Sequence, residues 1–266
     1  MDTTIGNLKV GSQLVLGKYG VQDDDPYPIV WLKGTPECDF ITEKAVDYLC
    51  FDAPERNGIG RSIGLATHTA SNLFSFLNSD EAEWFHATHE NDEPPGNVLR
   101  YAYARYQNHS GFLHHFEEHE LASIVLTTYT ADNEQVSSLI RLPSITDVTP
   151  GDSRMKVFAR KGIRPNPTED LFFYKSRYAE LSSEQGFVKF WVRNDGEPTR
   201  YVPIINRSGF LDDQMASVCA GVRPVCTLNP DTVVYQHDDG RFYTKPFVVE
   251  SCAFTDTELF ELLGLA

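Results

Sequence analysis

The sequence has no apolar run near the roughly 18 residues that suggest a membrane helix. Its first residues, Met1-Asp2-Thr3-Thr4, also lack the basic-then-apolar order of a secretory signal. Neither membrane insertion nor export is expected, and the chain reads as made in the cytoplasm. Basic residues are scarce: 23 Lys and Arg stand against 38 Asp and Glu, a formal net charge of −15. A field of that sign repels phosphate backbones and anionic headgroups, so nucleic acid and membrane surfaces are excluded as expected partners. The basic cluster Lys156, Arg160, Lys161 and Arg164 is interrupted and followed by Pro165 and Pro167, as in a solvated loop. Cysteine is sparse. Positions 38, 50, 219, 226 and 252 form no C-x-x-C pair and leave an odd count, which fits reduced, buried thiols rather than a structural zinc site or a disulfide framework. No G-x-S-x-G elbow is present, and the glycines of Asn57–Gly64 lack the Lys-Ser/Thr of a phosphate-binding loop. No cofactor is implied.

What is present is the composition of a folded domain: 266 residues, 41% hydrophobic and 23% charged. Short extended runs at Leu8–Val10, Leu14–Leu16, Ile29–Leu32 and Phe40–Ile41 alternate with Gly, Pro and the acidic run Asp23-Asp24-Asp25, which predicts a β meander. Ser71 is placed to cap a helix carrying Leu73, Phe76 and Leu77 on one face. A second amphipathic helix is predicted from Phe112, with Leu113, Phe116, Leu121, Ile124 and Val125 inward and Glu117, Glu118 and His119 outward. Val136–Leu142 and then Phe187–Leu228 return to strand. Asp239-Gly240 between Val233-Val234-Tyr235 and Arg241-Phe242-Tyr243 signals a hairpin. Thr255 with Glu258 makes a capping box for a terminal helix.

Three constellations are candidates for function. His115-Phe116-Glu117-Glu118-His119 has the H-x-x-E-H spacing that, on a helix, puts two zinc ligands one turn apart with Glu118 as the base. His86 and His89 could add ligands. The competing reading is a solvated helix face, and metal-free is the expectation. Acidic runs at Asp23–Asp25 and Asp212-Asp213 offer hard oxygens but no EF-hand spacing. The aromatic content, with 12 Tyr, 17 Phe and 3 Trp, suggests a recognition surface, for which Tyr101, Tyr103 and Tyr106 are the candidates.

An ordered set of motifs gives a resemblance. Gly17-Lys18-Tyr19, Pro28-Ile29-Val30-Trp31, Ser71–Asn78, the Phe112–Ile124 segment, Leu142–Val148, Trp191-Val192-Arg193-Asn194 and Gly221-Val222-Arg223-Pro224 follow one another in this order. In this the chain resembles a bacterial and prophage domain of unknown function encoded beside phage tail genes. Val192 and Asn194 depart from that family's Trp-Leu-Arg-Ser, and residues 149 to 180 are longer and more basic than its usual connection. The resemblance covers roughly residues 5 to 229. It implies an α+β, mostly antiparallel β fold with a few short helices, C-type-lectin-like in layout. It also gives Trp31, Trp191, Arg193, Gly221, Arg223 and Pro224 structural roles. Residues 1–230 would form that domain, and 231–266 a hairpin and terminal-helix extension.

The functional expectation is a non-catalytic, phage- or prophage-encoded, virion-associated binding or assembly module. Its partners would be virion proteins or a host surface glycan, and it could form a homo-oligomer. Two alternatives remain: a metal-dependent hydrolase using His115, Glu118 and His119, and a cytosolic phage protein that inhibits a host factor.

Overall fold

The extended runs of the first third become β1 (Asp2–Thr4), β2 (Gln13–Tyr19), β3 (Tyr27–Lys33), β4 (Asp39–Thr42) and β5 (Asp47–Cys50). These belong to a computed structural model whose described residues are 2–20, 26–52, 67–84, 106, 109–148, 189–199, 201–206, 210–216 and 218–245. Leu8–Val10 is the exception: the Leu8 N–H turns back onto the Ile5 carbonyl at 3.1 Å and no strand forms there. Beyond them lie β6 (Ile124–Val125), β7 (Thr127–Ala131), β8 (Glu134–Ser138), β9 (Ile140–Arg141), β10 (Phe190–Trp191), β11 (Tyr201–Ile205) and β12 (Leu211–Met215). The set closes with β13 (Cys219–Val222), β14 (Val225–Leu228), β15 (Val233–Gln236) and β16 (Phe242–Thr244). The helices described are short: α1 (Asn72–Leu77), α2 (Glu118–Leu121) and α3 (Ile145–Val148). The fold is therefore mostly β and dominated by antiparallel pairing. No described helix is long and apolar enough to cross a membrane.

One sheet has nine strands in the order β1-β15-β16-β2-β3-β4-β14-β6, with β9 also on β14. A second has five, β12-β11-β10-β13-β5, and β7–β8 is a separate hairpin. Parallel pairing occurs at β16–β2 and β10–β13. The predicted hairpin at Asp239-Gly240 is β15–β16, and rather than standing apart it fills two places inside the large sheet. The terminal helix expected around Thr255 and the glycine run Asn57–Gly64 lie outside the described residues, as do Asp23–Asp25 and the basic cluster from Lys156 to Arg164.

Leu14, Trp31 and Phe40 of the large sheet meet Leu49, Trp191, Val202 and Ile204 of the smaller one in a single apolar core. Each of these two indoles has a backbone acceptor, which removes the cost of burying its N–H. Trp31 donates to the Leu16 carbonyl and Trp191 to the Leu49 carbonyl, both at 2.9 Å. The α1 helix is built as its sequence predicts. Ser71 accepts from the Phe74 N–H at 3.1 Å, and Leu73, Phe76 and Leu77 are buried.

The second predicted helix is a correction. The Phe112 and Leu113 N–H groups bond the Phe76 and Ser79 carbonyls at 3.1 and 2.9 Å. Amides used on the end of α1 in this way are committed to a neighbouring segment. Only Glu118–Leu121 is helical, behind a capping box between Glu117 and Glu120. Ile124 and Val125 continue as strand β6.

Gly17 shows why one position of β2 tolerates no side chain. The β2–β3 register shifts between Val15 and Lys18, and Gly17 sits there at φ +69. A Cβ would overlap the ring of Phe116, while the Gly17 N–H bonds Glu120 Oε1 at 2.9 Å. Gly17→Ala adds left-handed backbone strain to overpacking and should lower the unfolding free energy by about 2 kcal/mol, read as a shift in urea midpoint.

Candidate binding site

β4 ends at Thr42, opposite Trp31 of β3, so on that side the first half of β3 runs on past the end of its partner, while β2 pairs along its other edge. The connection Glu43–Val46 takes that place, tied in by the Glu43 N–H to the Val30 carbonyl at 2.8 Å. Between them opens a pocket of about 260 Å³. Its walls are aliphatic and aromatic, from Tyr27, Pro28, Ile29, Val30 and Val46; Glu43, Lys44 and Arg241 supply charge. Arg241 comes from the β15–β16 hairpin, which reaches the pocket because β16 lies on β2 and β2 on β3.

The pocket's frame is held from beneath. Arg223 donates from Nη2 to the Thr42 and Glu43 carbonyls at 2.7 and 2.8 Å and from Nε to Thr42 at 3.2 Å. Tyr27 Oη donates to the Val46 carbonyl at 3.1 Å, and Gln13 Nε2 to Glu43 Oε1 at 2.5 Å. Asp239 anchors the hairpin turn. It accepts from the Arg241 N–H at 2.9 Å and from Tyr243 Oη at 3.0 Å, and these hydrogen bonds, the backbone one first, hold its carboxyl below the usual range.

Two buried polar clusters lie elsewhere. Tyr19 Oη donates to Asp47 Oδ2 and sits 3.1 Å from His109 Nδ1, all three being buried. With its proton on Asp47, the phenol oxygen is the acceptor, which fixes the proton of His109 on Nδ1. The second cluster joins Arg141 to Asp147 at 3.0 Å and to Asp39 at 3.3 Å. Nearby, the Arg193 guanidinium lies 4.4 Å from the centre of the Tyr129 ring. Arg193 also donates to the Thr130 and Leu142 carbonyls at 3.1 and 3.0 Å. Burial, then the Arg141 charge, lowers the Arg193 pKa. Tyr129 Oη is 3.0 Å from both Ser138 Oγ and His68 Nε2, and burial pushes His68 down to about 3.

The residues singled out by sequence fall as follows. Tyr106 is fully buried, with its hydroxyl on the Cys50 carbonyl at 2.8 Å, so it is a core residue and not a recognition surface. Tyr101 and Tyr103 lie outside the described residues, as do His86 and His89. His115 precedes the helix that holds Glu118 and His119, so the three do not share the helical face that zinc ligation at this spacing requires. His119 Nε2 instead meets Thr244 Oγ1 at 3.2 Å, and its Nδ1 lies 3.4 Å from Glu117. Among the described residues no group of three or more His, Cys, Asp or Glu is arranged to hold a metal ion. Trp191 and Gly221 are brought onto neighbouring strands, Phe190 pairing with Gly221, and the Pro224 carbonyl accepts from the Thr42 N–H at 3.1 Å. The pocket itself escaped the sequence reading, since its lining carries no motif and Arg241 is remote from the rest in the chain. No protein-family model, curated protein or solved structure matches this sequence.

Proposed function

We propose that the chain is a non-catalytic recognition or assembly module, of C-type-lectin-like α+β type and virion-associated, that binds a carboxylate-bearing saccharide of a host surface glycan in the pocket at β3. The observation that carries this reading is the pocket lining. Tyr27, Pro28 and Val30 keep accessible surface and offer an apolar wall against which the C–H face of a sugar ring can lie, and Arg241 and Lys44 together outnumber Glu43 in charge. Counted over the lining residues, that balance is opposite in sign to the chain's net −15; Asp239, 4.0 Å from Arg241 Nη1, lies outside the lining. The volume suits one sugar ring rather than an extended substrate. A single small pocket gains avidity by repetition, which is consistent with a homo-oligomer.

A glycan array probed with untagged protein checks this. Binding concentrated on acidic saccharides, weakened about tenfold or more in Arg241→Ala, is expected for loss of one charge-assisted hydrogen bond. Turnover of a substrate, with no binding to glycans or virion proteins, would sink the reading. The acidic surface favours a second one, capture of a basic host protein. Asp212 and Asp213 are exposed on β12, the edge of the five-stranded sheet. Such a complex should dissociate at high salt.

A further inference from the structure

Cys50 and Cys219 stand directly opposite one another on the antiparallel strands β5 and β13. Their backbone phase follows from the other neighbour of β13. The Gly221 N–H donates to the Lys189 carbonyl at 2.7 Å, toward β10, so the backbone polar groups of Gly221 and Cys219 face β10 and those of Ala220 and Val222 face β5. Cys219–Cys50 is therefore a non-hydrogen-bonded pair. The Cys50 carbonyl agrees, because it points off the sheet edge and accepts Tyr106 Oη. Non-hydrogen-bonded pairs are the close ones, with Cα atoms about 4.5 Å apart, within the range a disulfide needs. Both thiols are free and belong to the same apolar core, so they lie on one face of the sheet. The other two described cysteines are placed differently: Cys226 pairs with Phe40, and the Leu228 N–H bonds the Cys38 carbonyl, which sets Cys38 diagonal to Cys226.

We propose that Cys50 and Cys219 form a redox-convertible pair that closes into a cross-strand disulfide when a small-molecule disulfide of the glutathione type is the oxidant. One cysteine thiolate attacks the oxidant, forming a mixed disulfide and releasing one thiol. The second thiolate then displaces the other half as a second thiol. Two protein thiols and one disulfide become one protein disulfide and two small thiols, which carry the protons. Burial pushes the Cys219 thiol up to about 12 and raises Cys50 well above its ordinary range, so reaction awaits opening of β5, an edge strand. Once closed, the bond fixes the far side of the pocket connection: β5 follows Val46, and β13 leads into the Arg223 that grips Thr42 and Glu43.

The test incubates reduced, untagged protein with oxidised glutathione in mildly alkaline buffer, natively and in urea, then blocks thiols in denaturant and maps linked peptides by mass spectrometry. The native sample should yield a Cys50–Cys219 peptide pair and a melting midpoint raised by roughly 5 °C or more, as loop closure predicts. Both should vanish in Cys219→Ser and, independently, in Cys50→Ser. Full alkylation of Cys50 and Cys219 after native oxidation would overturn the proposal. So would a native Cys38–Cys226 link, or the same scatter of pairings natively as in urea.

Discussion

Arg141→Met should lower the unfolding free energy by about 3 to 5 kcal/mol, the cost of stranding buried carboxylates rather than the worth of a surface ion pair. Arg141 is only 4% exposed and lies between Asp39 and Asp147, whose side chains are equally enclosed. Asp147 Oδ2 also accepts the Ser144 N–H at 2.9 Å, and Asp39 Oδ1 accepts Thr227 Oγ1 at 2.5 Å. These bonds hold both carboxylates in place once the cation has gone. They sit where β9, β14 and α3 meet, so little water can enter to replace the guanidinium. Urea titration should show a lower midpoint with an unchanged slope. Asp147→Asn added to Arg141→Met should recover part of the loss, because the neutral amide needs no counter-charge. A loss under 1 kcal/mol in the single variant would mean that the cluster is hydrated.

His68 should make the fold acid-labile across a defined window. Its pKa is pushed down to about 3 in the folded chain from the ordinary histidine value of 6.5, chiefly because burial opposes charging, with Arg193 and then Arg141 adding repulsion. Above pH 6.5 neither state is protonated and the residue is neutral in the balance. Below it the unfolded chain takes up a proton that the folded chain refuses, so stability falls with pH until about 3. The accumulated loss is on the order of 4 kcal/mol. The hydrogen bonds set the refusing tautomer: Ser138 Oγ donates to the Ile140 carbonyl, so Tyr129 donates to Ser138 and accepts from His68 Nε2–H. Nδ1 is thus the bare nitrogen, buried without a hydrogen bond. His68→Gln should flatten the stability profile between pH 6.5 and 3 relative to the parent. Asp132 and Asp195, whose pKa values burial raises, act in the opposite direction in both proteins and cancel in the comparison.

Much of the strand content and α1 could be read from local chemistry. Ser71 capping a helix with Leu73, Phe76 and Leu77 inward is a short-range pattern, and so is Asp239-Gly240 between alternating runs. The segment from Phe112 misled because its spacing matches a helix equally well; what decides the matter is the pair of carbonyls at Phe76 and Ser79, more than thirty residues earlier in the chain. β12 lies within the Phe187–Leu228 stretch read as strand, although Leu211-Asp212-Asp213-Gln214 is polar, as an edge strand with a solvated face can be. Tyr106 is ambiguous in sequence because its burial depends on distant residues, the Phe76 and Trp84 rings and the Cys50 carbonyl, not on its neighbours in the chain. The tyrosine–aspartate–histidine cluster and the pocket are assemblies of distant segments, and no local spacing encodes either.

The arrangement of the large sheet also sets a timetable. Thr3 finds its partner at Val234, and Leu14 one of its two at Phe242. At ordinary rates of protein synthesis the first strands therefore leave the ribosome on the order of 10 to 40 seconds before the strands that cover them. Through that interval β2 can pair with β3 yet offers its other edge to any chain nearby. A nascent chain of this topology thus carries an open strand edge through most of its synthesis, and slower translation lengthens that exposure instead of easing its folding.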